Sequence, residues 1–434
     1  MNYFSLFAMM GINSVAVREI ANCKDSKCKL SKTFSSLLCL NTISVLFVIL
    51  ILILLIFVVP EFYKYRNLMF IGVFKLLFNV FLIEWLYKGL EDFRFITIRS
   101  VCIRCLYVVS VFVFVKSPND YIIYYMLIAL TIIANSVINL CYSKSFICFS
   151  FDGLNIRKYL KPFIILGIYG ILTSFYTTFN ILFLGLQWNS VEVGYYSTAT
   201  KLHNIILAMF SAFTGVMMPR MSVLVSEGKK DSFKVLFDKS VNALFIFSLP
   251  IICLSIIFAD QIIICIAGHE FLPAVHCMRI ILPLIFIIGY EQVLVYQILM
   301  PLKRDREILI NSIIGAFVGV ATNIIFVPLY GSIGSSLVWI LSELSILFLA
   351  QFFVTKIAGL TFPYKKLFKY SLVMCPLVVV LIFFHEWNPL QTFTLLFAGI
   401  LTILYFIVVE LFIIKDEFIF SIFFEIRNKL FNGR

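Results

Sequence analysis

In Glu84-Trp85-Leu86-Tyr87-Lys88-Gly89-Leu90-Glu91-Asp92-Phe93-Arg94-Phe95-Ile96-Thr97-Ile98-Arg99-Ser100, an apolar run ends in an aromatic, glycine-broken, highly charged turn, and a second apolar run follows at once. Aromatic rings mixed with Lys and Arg mark a membrane–water boundary on the side where positive charge collects. The stretch therefore reads as the end of one spanning helix, a short cytosolic elbow and the start of the next.

Composition carries that reading across the whole chain. Hydrophobic residues make up 62% of the 434, charged residues only 13%, and the mean hydropathy is +1.03. An average soluble domain carries about twice that charge. So much apolar surface needs a bilayer as its solvent, and at ~20 residues per span about a dozen spans fit. The net charge of +12 is not organised into a long basic, aromatic-interleaved surface, which excludes a nucleic-acid partner. The eleven cysteines sit mostly in apolar runs and act there as small hydrophobes. Cys102-Ile103-Arg104-Cys105 is the only CxxC and has neither a second pair nor a nearby His, so no metal site is expected.

Thirteen apolar segments follow one another: 1–15, 34–59, 68–87, 98–115, 121–142, 162–186, 193–218, 240–258, 278–300, 308–327, 333–355, 368–384 and 392–413. The connections between them alternate in charge. One set (16–33, 88–104, 143–161, 219–239, 301–307, 356–369 and 414–434) holds 29 of the 35 Lys and Arg residues. The other set holds only Lys64, Arg66 and Lys116. The positive-inside rule places the first set in the cytosol, which predicts a cytosolic C-terminus and an outer N-terminus. A shift of 212 residues lays Leu90, Arg94 and Ile96 on Leu302, Arg306 and Ile308, and Phe114-Val115 on Phe326-Val327. Both elbows belong to the basic set, so the two halves run in the same direction. That arrangement suits parallel lobes related by an axis along the membrane normal.

The elbow pattern Tyr87-x-Gly89-x-Glu91-Asp92 resembles the one that follows the fourth helix of bacterial oligosaccharide-lipid flippases. These are the O-antigen-unit transporters of the multidrug/oligosaccharidyl-lipid/polysaccharide exporter superfamily. Two more stretches resemble the same family: Tyr3-Phe4…Gly11-Ile12…Val17-Arg18-Glu19-Ile20-Ala21, and Gly194-Tyr195-Tyr196…Lys201 followed by Pro219-Arg220-Met221. That family begins with one further helix, so the chain reads as lacking its first. The expected fold is an all-α polytopic membrane protein of about 13 spans, with two parallel pseudo-symmetric lobes around a central cleft. The expected domains are an N-terminal lobe, 1–142, a cytosolic linker, 143–161, a C-terminal lobe, 162–356, and an appended helix pair with a cytosolic tail, 357–434. The resemblance implies a flippase that moves polyprenyl-diphosphate-linked oligosaccharide across the bacterial inner membrane by alternating access. Its partners would be the lipid-linked oligosaccharide, membrane lipids, and the polymerase and chain-length proteins of the same process.

Ionisable residues inside spans are costly and mark function by default. Seven stand out: Lys75, Glu84, Lys201, His203, Arg279, Glu291 and Glu343. Glu84 and Lys88 are spaced to pair along one helix, Arg279 reads as an interfacial anchor, and His203 reads as a packing residue. Lys75 and Lys201 have no acidic neighbour in sequence and lie ~10 and ~12 Å from the outer ends of their helices at about 1.5 Å per residue. They are the expected substrate-binding cations, at matching depths in the two lobes. Thr173, Tyr176, Thr177 and Asn180 line one helix face, and Ser197, Thr200, Lys201 and Asn204 another. The stripes fit either a cavity wall or a tight helix interface. Tyr176, Asn180 and Asn204 complete the expected substrate-binding set, and Glu291 and Glu343 the expected ion-coupling set.

No Walker-type Gly-Lys-Ser/Thr loop is present, so ATP drive and other cofactors are not expected. No Asp-x-Asp occurs, and the longest outer connection, 259–277, is too short for a soluble catalytic domain, which argues against a polymerase, a glycosyltransferase or any other enzyme. The remaining alternative is a multidrug exporter of the same superfamily, whose cavity would more often be acidic.

Overall fold

The thirteen apolar segments are mostly helical as far as the described residues reach, but 1–15, 68–87 and 278–300 are interrupted, at 10–11, 80–83 and 282–283. The computed structural model describes residues 2–117, 120–149, 154–387 and 392–409, which hold no strand. The helices are α1 (Asn2–Met9), α2 (Ile12–Ala21), α3 (Lys27–Val58), α4 (Pro60–Lys64), α5 (Arg66–Asn79), α6 (Glu84–Gly89), α7 (Phe93–Phe114), α8 (Tyr121–Ser143), α9 (Ile156–Gln187), α10 (Ser190–Ser226), α11 (Lys230–Ile257), α12 (Ala259–Ala267), α13 (Ala274–Ile281), α14 (Leu284–Leu294), α15 (Asp305–Ala358), α16 (Tyr364–Trp387) and α17 (Thr392–Val409). Taken with the short breaks inside them, 11 helical runs among the described residues are long and apolar enough to cross a membrane, and Phe393–Val409 is a shorter apolar helix.

The segments 308–327 and 333–355 share one helix, α15, which is broken only at Gly331 (φ 55°, ψ −127°). Pro328 lacks an N–H and disturbs the helical ladder just before that point. A freed backbone group in a bilayer must find a partner inside the protein. The turn after α9 and the first turn of α10 supply two. The Glu192 carboxylate accepts from the Ser332 N–H (2.9 Å), and the Trp188 Nε1–H donates to the Val327 carbonyl (2.8 Å).

Two compact units result. The first comprises Met1–Phe175, Gly215–Lys230 and Tyr296–Ile313, and the second comprises Tyr176–Thr214, Asp231–Val295 and Ile314–Arg434. In the first, Val45, Ile49, Leu52 and Ile56 of α3 pack with Ala8 of α1 and Leu76 of α5. In the second, Leu184, Ala199, Ile281 and Trp339 belong to a core drawn from α9, α10, α13 and α15.

The two elbows aligned by the 212-residue shift have the same backbone. Glu91 (φ 63°) and Lys303 (φ 58°) occupy equivalent positions in the left-handed region, where side chains other than glycine are uncommon. Leu90 N–H bonds to Leu86 O and Leu302 N–H to Ile298 O, while Asp92 N–H bonds to Tyr87 O and Arg304 N–H to Leu299 O. Each pair closes a helix C-terminus over a left-handed residue.

Gly89 sits where α6 meets α2. A Cβ there would lie 2.6 Å from Ile20 Cγ2 and 2.7 Å from Ile20 Cβ. Since β-branched Ile20 is fully buried, it has little room to yield. Gly89→Ala is expected to cost about 1–3 kcal/mol through overpacking. Thermal unfolding of the purified protein in detergent measures it; an unchanged midpoint would show that α6 and α2 separate at no cost.

Candidate functional site

The first unit gathers charged residues from the basic ends of several helices. Arg18, on α2, is 2% exposed. Its Nη1 donates to Asp305 Oδ1 (2.6 Å) and to the Met300 carbonyl (3.0 Å), and its Nη2 donates to Asp305 Oδ2 (3.2 Å). The pair is bidentate, the geometry in which a guanidinium holds a carboxylate best. Glu19 lies beside it, 3.3 Å from Arg18 Nε and 3.1 Å from Lys303 Nζ. These four side chains carry two charges of each sign. A second group centres on Glu91, whose two oxygens lie 3.0 Å from Lys24 Nζ and 3.2 Å from Arg220 Nε. The two left-handed elbow residues therefore both make ion pairs, with opposite charge. Glu91 takes a basic residue from the end of α10, and Lys303 takes an acidic residue from the end of α2.

Sequence reasoning placed Arg18, Glu19, Glu91 and Arg220 in recognisable motifs but assigned them no role, and it read Asp305 and Lys303 only as parts of an elbow. The signal was available in part. All six lie on connections of the basic set, and four lie in the stretches that carry the family resemblance. Their pairing was not legible, because Arg18 and Asp305 are 287 residues apart.

Glu84 lies 3.7 Å from Lys88, as the i, i+4 spacing predicts, but it also binds Arg99. Arg99 is 5% exposed and reaches the Asn139 side chain as well. Tyr87 OH donates to the Asn139 carbonyl, which ties the elbow to α8. Asp92 caps α7 by accepting from the Phe95 N–H.

The expected cations have different surroundings. Lys75, on α5, is buried and makes no hydrogen bond or ion pair among the described residues. Lys201, on α10, is exposed and likewise makes none. Arg279 pairs with Asp260 (2.9 Å) and donates to the Ile256 carbonyl. The side chains of Tyr176 and Thr177 lie outside the described residues.

In the second unit, Asn180, Tyr196, Thr200, Asn204, Trp339 and Ser342 line a cavity of ≈ 190 Å³. Asn180 Nδ2 donates to Tyr196 OH (2.8 Å) and to the Ser335 carbonyl (2.9 Å). Asn204 Oδ1 meets Nδ1 of His203, whose ring stands edge-on to Trp339 at 4.9 Å. Behind this wall Trp339 Nε1 donates to Glu343 (3.0 Å), and Glu343 in turn hydrogen-bonds Glu291. Both carboxyls are buried. At about 30 Å³ per water the cavity holds a few waters or a hydrated ion and is too small for an oligosaccharide. Of the expected residues, the fold brings Asn180 and Asn204 to one cavity with Glu343 and Glu291 behind it, and Lys201 is not among those lining it. Among the described residues no group of three or more His, Cys, Asp or Glu could hold a metal ion.

A family model described as polysaccharide biosynthesis protein matches residues 1–225. The chain is 23% identical over 310 residues to the "Putative O-antigen transporter" of Escherichia coli strain K12, covering 71% of this chain and 74% of that one. Among solved structures it resembles the lipid II flippase MurJ in an inward closed conformation (TM-score 0.65, 16% identity, 94% of this chain and 95% of that one). It also resembles an outward-facing multidrug resistance transporter of the MATE family in the MOP superfamily (TM-score 0.64, 12% identity, 80% and 83%). At these identities the structural likenesses concern the fold.

Proposed function

The chain belongs to the polysaccharide biosynthesis protein family, and from that membership we propose that it moves a polyprenyl-diphosphate-linked oligosaccharide from the cytosolic to the outer leaflet of a bacterial inner membrane. The observation that carries the reading is the family match over residues 1–225, which takes in Arg18, Lys75, the Glu84–Ser100 elbow and Lys201. Transport of such a molecule requires a polar, partly basic route for sugars and diphosphate and two alternating states that open to opposite sides. Lys75 and Lys201 supply cations along the route, and Asn180, Asn204 and Tyr176 supply sugar-bonding groups. The lobes are 1–142 and 162–356, joined by 143–161, with 357–434 appended and the C-terminus in the cytosol. The Arg18–Asp305, Glu19–Lys303 and Glu91–Arg220 pairs hold the cytosolic side closed and part when it opens. Buried carboxyls in hydrogen-bond contact take up a proton or a small cation between them, so Glu291 and Glu343 couple transport to an ion gradient.

Deleting the gene is expected to make lipid-linked oligosaccharide accumulate on the cytosolic side, with surface polysaccharide restored by a plasmid copy. Unaltered surface polysaccharide and lipid-linked pools in the deletion strain would remove this reading. The MATE likeness and the Glu291–Glu343 carboxyl pair favour a second reading, a multidrug exporter of the same superfamily. That reading expects instead a fall in resistance to organic cations.

A further inference from the structure

The face of the chain poor in Lys and Arg holds one local exception. Of the three basic residues on its connections, Lys64 and Arg66 lie two positions apart, within Tyr63-Lys64-Tyr65-Arg66-Asn67. Tyr63, Lys64, Tyr65, Arg66, Asn67 and Tyr121 line a cavity of ≈ 350 Å³ in the first unit, between the α4–α5 junction and the start of α8. That volume lies within the roughly 300–1,000 Å³ of small-ligand pockets.

The cavity is organised. Arg66 Nη1 donates to Tyr63 OH (2.8 Å), and the guanidinium stands 5.1 Å from the centre of the Tyr63 ring. Lys64 Nζ stands 5.7 Å from the Tyr65 ring. Neither cation forms an ion pair among the described residues. Asp120, next to Tyr121 in sequence, accepts from the Lys116 N–H (3.0 Å), the Ser117 N–H (2.8 Å) and the Ser117 hydroxyl (3.1 Å). These three donors hold its carboxyl below the usual range and engage it within its own loop.

Interfacial anchoring accounts for the tyrosines, since their rings favour headgroup depth. It does not account for the cations. A span's buried Lys or Arg reaches outward to water, but Lys64 closes α4 and Arg66 opens α5, so both already lie at helix ends. Charge of this sign on this face also opposes the topology that the rest of the chain sets up. A guanidinium with one N–H fixed on Tyr63 presents its remaining donors as a fork, and Lys64 adds a mobile point charge. This is the donor set that phosphate oxygens match.

We propose that Lys64 and Arg66, with the rings of Tyr63, Tyr65 and Tyr121, form a binding site for a phosphate-bearing lipid headgroup on the outer face. Two sources supply that chemistry: the anionic phospholipid of the surrounding leaflet, and the diphosphate of the transported unit after it has crossed. Only the second rests on the transport reading.

The test uses the full chain purified in detergent, with retained lipid counted by native mass spectrometry against phosphatidylglycerol, a polyprenyl diphosphate and, as a phosphate-free control, diacylglycerol. Lys64→Gln/Arg66→Gln is expected to weaken retention about tenfold, the loss of two charge-assisted contacts. Lys64→Arg/Arg66→Lys keeps the charge and is expected to retain most of it. Diacylglycerol should not distinguish the proteins. Loss confined to the polyprenyl diphosphate assigns the site to the transported unit, and loss that includes phosphatidylglycerol assigns it to the leaflet. The five side chains are exposed, so the unfolding midpoint should not move. Equal retention of both phosphate lipids by a folded double Gln variant overturns the site. Phosphatidylglycerol binding that depends on Lys64 and Arg66 would stand even in a strain whose lipid-linked pools show no transport.

Discussion

Replacing Arg18 with Ala is expected to cost about 3–5 kcal/mol of stability and to abolish transport, because it leaves Asp305 a buried carboxylate without its guanidinium and Glu19 with Lys303 alone. Asp305→Ala should do comparable damage by leaving Arg18 with only Glu19 and the Met300 carbonyl. The informative variant is the double. Arg18→Ala/Asp305→Ala removes both charges, so its loss of stability should fall well below the sum of the single losses. Transport should stay low, because the ends of α2 and α15 lose the contact that holds one state of the cycle. Unfolding midpoints in detergent and surface polysaccharide in a complemented deletion strain provide the two readouts. A double variant that regains both stability and export would confine the pair to packing. A single Arg18→Ala variant with unaltered stability would show that the pair is not formed in the membrane.

Lys75→Gln/Lys201→Gln is expected to stop export with no loss of folded protein. A charged residue near mid-span costs about 2.5–3.5 kcal/mol on insertion scales. Lys75 is buried without a described hydrogen bond or ion pair that would offset this cost. Its replacement should therefore leave the unfolding midpoint unchanged or raised, the pattern of a residue kept for function at the expense of stability. Arg at either position should preserve more export than Gln, since a diphosphate or an acidic sugar is held by charge before geometry. Normal export by the double Gln variant would sink the cationic route and return both lysines to packing or to the interface.

Much of the fold was legible in the residues. Spans follow from hydropathy, and the elbow from aromatic, glycine and charged residues in close succession; each is a local property. The repeat was legible too, and its faint identities at Leu90, Arg94 and Ile96 coincide with matching backbone at Glu91 and Lys303. Tertiary structure alone decided which charges meet. Glu84 has Lys88 within reach along its helix, yet it also takes Arg99, which is buried against Asn139 from α8. Arg18 meets Asp305 across 287 residues. Asn180, one of a polar stripe, turned out to be tied to Tyr196 and to the Ser335 carbonyl. The break in α15 at Gly331 is held by Trp188 and Glu192, which nothing near residue 331 announces. The physical reason is the solvent. A spanning helix is apolar on nearly every face, so its period does not reveal which face packs. In hydrocarbon, each polar group is satisfied by whichever element the fold brings alongside it.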